Sequence, residues 1–254
     1  KCYAVRTAMD RPQPPCYQTG RLQTMGDHLR LSYSHATIFE YHPLMTQTAT
    51  APNPYDELPY CAYPIVWTAP ERLALASLLH GGPRLSMDQY RVLELGCADG
   101  ANLLPMAWYR RHGDFTGLDA SARQIGLANA SRAKLGLANL RFVHGDFRTA
   151  KAQLDGPYDI IMAHGVFSWV DDASRDAMLE MCVELLAPAG LLYLNYNAHP
   201  GWTIRGMVRD FLMQHTAHVG SLQERSEMCR EVSAKVIAPF KTDEHPYTKL
   251  MANE

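Results

Sequence analysis

The sequence has no C-x-x-C pair, and its six cysteines, Cys2, Cys16, Cys61, Cys97, Cys182 and Cys229, are scattered along the chain. That spacing excludes a zinc site of paired thiolates and a disulfide framework. Reduced, cytoplasmic thiols are the expectation. None of the 11 histidines falls in an H-E-x-x-H pattern, so no metal is expected. No apolar run reaches the roughly 18 residues of a spanning helix, so no membrane insertion is expected. Neither sign of charge is in excess: the net charge is −2 and the pI about 6.6. No nucleic-acid or anionic-membrane partner is expected from such a balance. Repeats and low-complexity tracts are also missing. What remains is 254 residues, 47% of them hydrophobic. That is enough for one large or two small domains with a substantial core.

One stretch organises the rest: Val92-Leu93-Glu94-Leu95-Gly96-Cys97-Ala98-Asp99-Gly100. An apolar run carries one acid, Glu94, and enters a turn bracketed by Gly96 and Gly100. A helix-compatible segment from Ala101 and Asn102 to Trp108 follows. Strand, tight turn and helix bring backbone close to a bound nucleotide. The dinucleotide fingerprint needs three glycines, and its positions here read Gly96, Ala98 and Ala101. A nicotinamide dehydrogenase is therefore disfavoured. The pattern resembles motif I of class I S-adenosylmethionine (SAM) methyltransferases. SAM is cationic at its ammonium and sulfonium, so an acid suits it and a phosphate cradle is unnecessary. A second run, Phe115-Thr116-Gly117-Leu118, ends in Asp119, about 20 residues on, where a carboxylate can accept both ribose hydroxyls.

Apolar strands then alternate with helices. Strands are expected over about 91–95, 114–118, 140–145, 158–163 and 191–195. Helices are expected over about 101–111, from Ser121 to Gly136, and from Asp171-Asp172 to Pro188. Such alternation means a parallel sheet covered on both faces, with ligands at the carboxyl ends of its strands. The informative residues fall at those ends. Asp146 and Phe147 follow strand three, where an acid and a ring suit adenine. His164 and Gly165 follow strand four, and His164 would position the cofactor or accept a proton. Tyr196 follows strand five, on the acceptor side.

The flanks read differently. Residues 1–44 hold Pro12, Pro14 and Pro15 without sustained periodicity. Met45 followed by a short polar leader reads like a natural start. Residues 1–44 are thus expected to be an irregular extension without a role in the fold; a genuine N-terminal arm is the alternative. Residues 53–64, rich in Tyr and Pro, are expected to be extended. Thr68-Ala69-Pro70-Glu71 reads as a capping box opening a helix through Leu73, Leu75, Leu78 and Leu79. Trp202, Met207, Val208, Phe211, Leu212 and His215 trace a helical stripe, and the tail is helical to about Ile237.

Several stretches together resemble one bacterial group. They are Asn53-Pro54-Tyr55-Asp56-Glu57-Leu58-Pro59-Tyr60, Gly96-Cys97-Ala98, Ser121-Ala122-Arg123-Gln124-Ile125, Ala163-His164-Gly165-Val166-Phe167-Ser168-Trp169-Val170 and Pro200-Gly201-Trp202. The group is the class I methyltransferases followed by a methyltransferase regulatory domain, which includes rickettsial protein-lysine methyltransferases. The resemblance implies a Rossmann-like sheet of strand order 3-2-1-4-5, here without the usual antiparallel strands 6 and 7. It implies SAM as cofactor. It assigns Glu94, Gly96 and Gly100 to the methionine end, Asp119 to ribose, Asp146 and Phe147 to adenine, and His164 to the pocket wall. Cys97, Ala98, Asn102, Ala120, Gln124 and Gly165 complete the expected cofactor set. His164 and Tyr196 are the candidates for handling the proton of an acceptor, with protein lysine the family-based guess. The implied domains are a cap segment and helix over 45–85, a core over 86–216, and a helical tail over 217–254 cut before a regulatory domain. A non-catalytic SAM-binding or scaffold module is the alternative. The apolar edge of strand five, Leu191, Leu192, Tyr193 and Leu194, is expected to be open and to favour a homodimer.

Overall fold

A computed structural model describes residues 2–4 and 53–237. Expectations that fall on Met45 and its leader, and on the tail around Pro239 and Pro246, lie outside the described residues.

The five core strands are β2 (Tyr90–Leu95), β3 (Gly113–Asp119), β4 (Leu140–His144), β5 (Tyr158–Ala163) and β6 (Leu186–Tyr196). They pair in parallel in the order β6-β5-β2-β3-β4. In order of the core strands this is 3-2-1-4-5, as the family resemblance implies. The order reverses between β2 and β5, so β2 and its loop lie at the switch point where such sheets bind ligands.

Successive strand residues enter opposite layers of core. Val92, Ile160 and Met162 pack on one face with Leu103, Met106 and Ala107 of α3 (Leu103–Tyr109) and Ile125 of α4 (Ala122–Lys134). Leu93, Ile161 and Ala163 pack on the other with Met178, Met181, Cys182 and Leu185 of α5 (Asp172–Leu185). Both layers are apolar, which is why the strands read as continuous hydrophobic runs rather than alternating ones.

Three expectations change. First, the edge of the sheet is not open along its whole length. A short strand, β1 (Cys2–Ala4), runs antiparallel to β6, pairing Ala4 with Leu194 and Cys2 with Tyr196. Thus part of the extension expected to be irregular supplies a strand. Leu191 and Tyr193 are themselves buried by the sheet's covering layers. β6 also starts earlier than expected. Leu186 pairs with Tyr158 and Leu191 with Ile160, so residues 187–190, including Pro188, form an irregularity within the strand.

Second, residues 53–64 are not wholly extended. Asn53 caps one helical turn, α1 (Pro54–Glu57), by accepting from the Tyr55 N–H at 3.0 Å. Pro54 at the first position and two acids in the turn suit a helix start.

Third, α2 (Pro70–Leu79) has no capping box: Ala69 is its N-cap, and the Thr68 hydroxyl is used elsewhere. Its buried stripe is Pro70, Leu73, Ala74 and Ser77, while Leu75, Leu78 and Leu79 face solvent.

From Ala198 the chain forms a second compact unit. It contains α6 (Thr203–His215) and α7 (Leu222–Ile237). Thr216 is buried there, with its hydroxyl donating to Leu212 O and its carbonyl accepting from Arg225. Met207 and Phe211 of the expected stripe are exposed. Among the described residues no helix is long and apolar enough to cross a membrane.

Candidate cofactor site and acceptor face

The turn after β2 is held in a conformation that side chains resist. Gly96 and Gly100 have φ of +73° and +78°. A Cβ at Gly96 would overlap the Val166 side chain, and one at Gly100 would overlap the Phe142 ring. Ala98, between them, also lies at positive φ, +49°, which is uncommon without glycine. Its N–H donates to Asp119 Oδ2 at 2.8 Å. The Gly96 and Cys97 N–H groups both donate to Leu118 O. The end of β3 therefore fixes the loop after β2.

Asp119 holds backbone with both oxygens, since Oδ1 accepts from the Ser121 N–H at 2.8 Å. Burial raises its pKa, while the two backbone donors pull it back. Glu94 is more enclosed, only 3% exposed. Its Oε1 accepts from Asn102 Nδ2 at 2.7 Å, and its Oε2 has no partner. Burial pushes the Glu94 carboxyl up to about 8; Asn102 opposes that rise and the nearby Asp119 adds to it. An unpaired buried carboxylate oxygen is costly unless something cationic compensates it. That oxygen, and a turn with no room for a Cβ, fit a ligand that is cationic at one end and presses against backbone.

Asn102 is buried, and it ties the cap segment to this acid. Its Oδ1 accepts from the Ile65 N–H at 2.8 Å, and its Nδ2 also donates to Thr68 Oγ1 at 3.0 Å. A second tether lies at the other acid. Asp56 accepts from Ser121 Oγ at 2.6 Å and from the Arg123 N–H at 3.1 Å. The Ser121 hydrogen bond holds the Asp56 carboxyl below its usual range. Asp119 in turn helps raise the Tyr55 phenol, after burial. Asp56, Ile65 and Thr68 are contacts to the candidate site that sequence reasoning missed. The Asn-Pro-Tyr-Asp string was a signal for Asp56. Nothing local distinguishes Thr68 from a helix cap.

The other expected cofactor residues divide. Cys97 is buried, with its thiol pushed well up by burial and then by Glu94, so it is no nucleophile. It fills space instead: a Cβ at Gly117 would lie 2.7 Å from Cys97 Sγ. Gln124 is buried with its Oε1 unpartnered, and its N–H is bonded to Ser121 Oγ. Ala120 is exposed, and its carbonyl lies 3.2 Å from His144 Nε2. Asp146 is not an open acceptor. Arg148 grips its carboxylate with Nε at 2.8 Å and Nη2 at 2.9 Å and holds its pKa low. Phe147 is half-buried against the layer that contains α5.

Across the switch point the groups are aromatic. His164 Nδ1 lies 2.9 Å from the Tyr193 hydroxyl, and the two rings are parallel, 5.8 Å apart. Gly165 follows at φ +68°. Tyr196 instead meets Phe167, at 6.0 Å between ring centroids. Tyr193, inside the neighbouring strand, is a hydroxyl bonded to His164. Sequence reading placed Tyr193 inside a strand. Its role arises because it pairs with Met162, two residues before His164, on the neighbouring strand. Among the described residues no cluster of His, Cys, Asp and Glu could hold a metal.

Residues 92–190 match the methyltransferase domain family. The chain is 34% identical over 209 residues to an uncharacterized protein of Rickettsia prowazekii (strain Madrid E), covering 82% of this chain and 38% of that one. A second uncharacterized protein of the same organism is 27% identical over 205 residues, covering 79% of this chain and 80% of that one. Among solved structures, PKMT2 from Rickettsia typhi in complex with AdoHcy is 26% identical with a TM-score of 0.63, covering 77% of this chain and 37% of that chain. The chain therefore spans a little over a third of the first relative and of that structure. With the strand order, the glycine turn and its two acids on one side of the switch point, these similarities identify the chain as carrying a class I S-adenosylmethionine-dependent methyltransferase domain.

Proposed function

We propose that the chain binds SAM across the β2 and β3 ends and transfers its methyl group to a nucleophilic acceptor presented at the β5 and β6 ends. The observation that carries this reading is the Glu94 carboxylate, buried at the switch point with Oε2 unpaired. Glu94 would hold the cationic amino-acid end and Asp119 the ribose. When bound, SAM supplies a methyl group on a sulfonium, already a good leaving group. The protein's task is then alignment and desolvation. Asp119 keeps the turn in shape through the Ala98 N–H. Glu94 supplies a negative charge that only a cation makes favourable. His164, bonded to Tyr193, is the group that would take the acceptor's proton.

The acceptor we favour is a protein lysine amine. The support is the resemblance to the bacterial group and an acceptor side lined by His164, Phe167 and Tyr196, which suits a cationic or neutral amine. Self-association along the 191–193 strand edge belongs to the same reading, and sedimentation would report it as a concentration-dependent shift. Titration with SAM by calorimetry tests the cofactor assignment. Incubation with labelled SAM and bacterial lysate tests the acceptor. Label confined to small molecules would exclude protein lysine, and binding without any labelled product would favour a non-catalytic SAM-binding module.

A further inference from the structure

The cap segment is hydrogen-bonded toward the cofactor acids through neutral side chains, Asn102 at Glu94 and Ser121 beside Asp119. We propose that Asn102 is a positioning residue that couples the cap segment 53–68 to Glu94, so that cofactor capture and cap docking strengthen each other. This inference rests on the SAM reading given above.

The hydrogen bonds allow only one arrangement of the amide. Oδ1 can only accept, and it faces the Ile65 N–H, which can only donate. Nδ2 can only donate, and its two protons face Glu94 Oε1 and Thr68 Oγ1. Reversing the amide would set donor against donor at Ile65 and oppose Glu94 with a second acceptor. Thr68 completes the ring by donating to Ile65 O at 2.9 Å. Asn102, Thr68 and Glu94 are each almost wholly buried, so water does not compete for these bonds. The residues joined are 34 to 37 positions apart in sequence. The amide therefore closes a long loop and does not stabilise a local turn.

The coupling follows from charge. With Oε1 held by Asn102, Oε2 is the oxygen left for a cationic ligand. A cation there favours the ionised carboxylate. A hydrogen bond to an ionised carboxylate is about twice as strong as one to its neutral form. Asn102 is then gripped harder, and its hold on Ile65 and Thr68 becomes firmer. By linkage, an anchored cap raises cofactor affinity by the same factor. The titratable groups around Glu94 are Asp119, at the end of β3, and Cys97 in the glycine turn. Asp119 carries the same sign as Glu94 and leaves the response to a cation in the same direction.

Two near-isosteric variants separate this role from a merely structural one. Asn102→Asp keeps the acceptor for Ile65 but loses the donor to Glu94. Thr68→Val removes a hydroxyl that touches Asn102. SAM affinity is measured by calorimetry from about pH 5 to pH 9, with hydrogen exchange of residues 53–68 followed in the same samples. In the unaltered protein SAM should slow exchange at Ile65, and affinity should rise as Glu94 ionises. Asn102→Asp should keep Ile65 protected without SAM, lose the extra protection SAM gives, and move the pH break upward. Thr68→Val should weaken SAM by about three- to tenfold at constant break. An unmoved break in Asn102→Asp, or unaltered SAM affinity in Thr68→Val, would overturn the coupling. Absence of SAM binding to the unaltered protein would instead overturn the cofactor reading itself.

Discussion

The two halves of the sheet's carboxyl edge are built by different means. On the β2–β3 side, Asp119 and the turn are held by backbone, Asp119 by the Ala98 and Ser121 N–H groups and the turn by Leu118 O, and Glu94 alone is held by a side chain, Asn102. On the β5–β6 side they are held by one another: His164 by the Tyr193 hydroxyl, and Tyr196 by the Phe167 ring. The first arrangement depends on residue type at fixed spacing and is intolerant of change. The second depends on which side chains meet across neighbouring strands. A cofactor site common to a family can be built the first way, and an acceptor site that differs among members can be built the second.

The comparison breaks hardest at Gly100. Replacing it by Ala forces a Cβ into Phe142 at φ +78°. Strain and overpacking together should cost about 3 kcal/mol of stability, measured by denaturant unfolding, and SAM affinity should fall with it. A stable variant that binds SAM normally would mean the turn is looser than its geometry implies.

Next comes the ribose acid. Asp119→Ala should weaken SAM by about 1.5–3 kcal/mol through lost charge-assisted bonds. It also strands the Ala98 and Ser121 N–H groups, so some loosening of the turn should accompany the loss. Unchanged affinity in a folded variant would refute the ribose assignment.

Glu94 should give a pH signature without any ligand. Its folded pKa, about 8, lies above the ordinary carboxylate value, so the folded state holds a proton that the unfolded state has released. Stability should therefore fall as pH rises between the two values, by up to about 1.4 kcal/mol per pH unit. Glu94→Gln should flatten that slope in urea titrations while weakening SAM binding. A slope unchanged by the substitution would show that other groups carry it.

The smallest effect is expected at Tyr193. Tyr193→Phe removes the hydroxyl bonded to His164, worth about 1 kcal/mol. On the reading that the two halves do separate jobs, turnover should drop several-fold while SAM affinity stays within about twofold of the original. An equal loss of both would erase the distinction drawn between the halves.

The same contrast explains what could be read in advance. The glycine turn, Glu94 and Asp119 were legible because a strand end, a positive φ and a buried acid each impose a residue type at one position, while the strand order came from the family resemblance. The helix starting near Asp171 was legible for the same reason, since its N-cap bond to the Ser174 N–H is local. Thr68 was misread because its hydroxyl could cap a helix three residues away or bond Asn102 far along the chain. Only packing chooses between those. The ion pair of Asp146 with Arg148 was not legible, because an arginine two residues away carries no signal of its own. The β1 pairing could not be anticipated, because three residues of extended backbone have no pattern to read.

The sequence by itself determined a parallel sheet with an acid and a glycine turn at its switch point, since hydrophobic runs and positive-φ positions act locally. Only the tertiary structure decided that Glu94 keeps one oxygen unpaired and that Asn102 joins it to the cap. It also decided that the Tyr193 hydroxyl meets His164. Those facts depend on side chains brought together by packing from 8 to 37 positions apart, where the pairing is decided by how the elements meet.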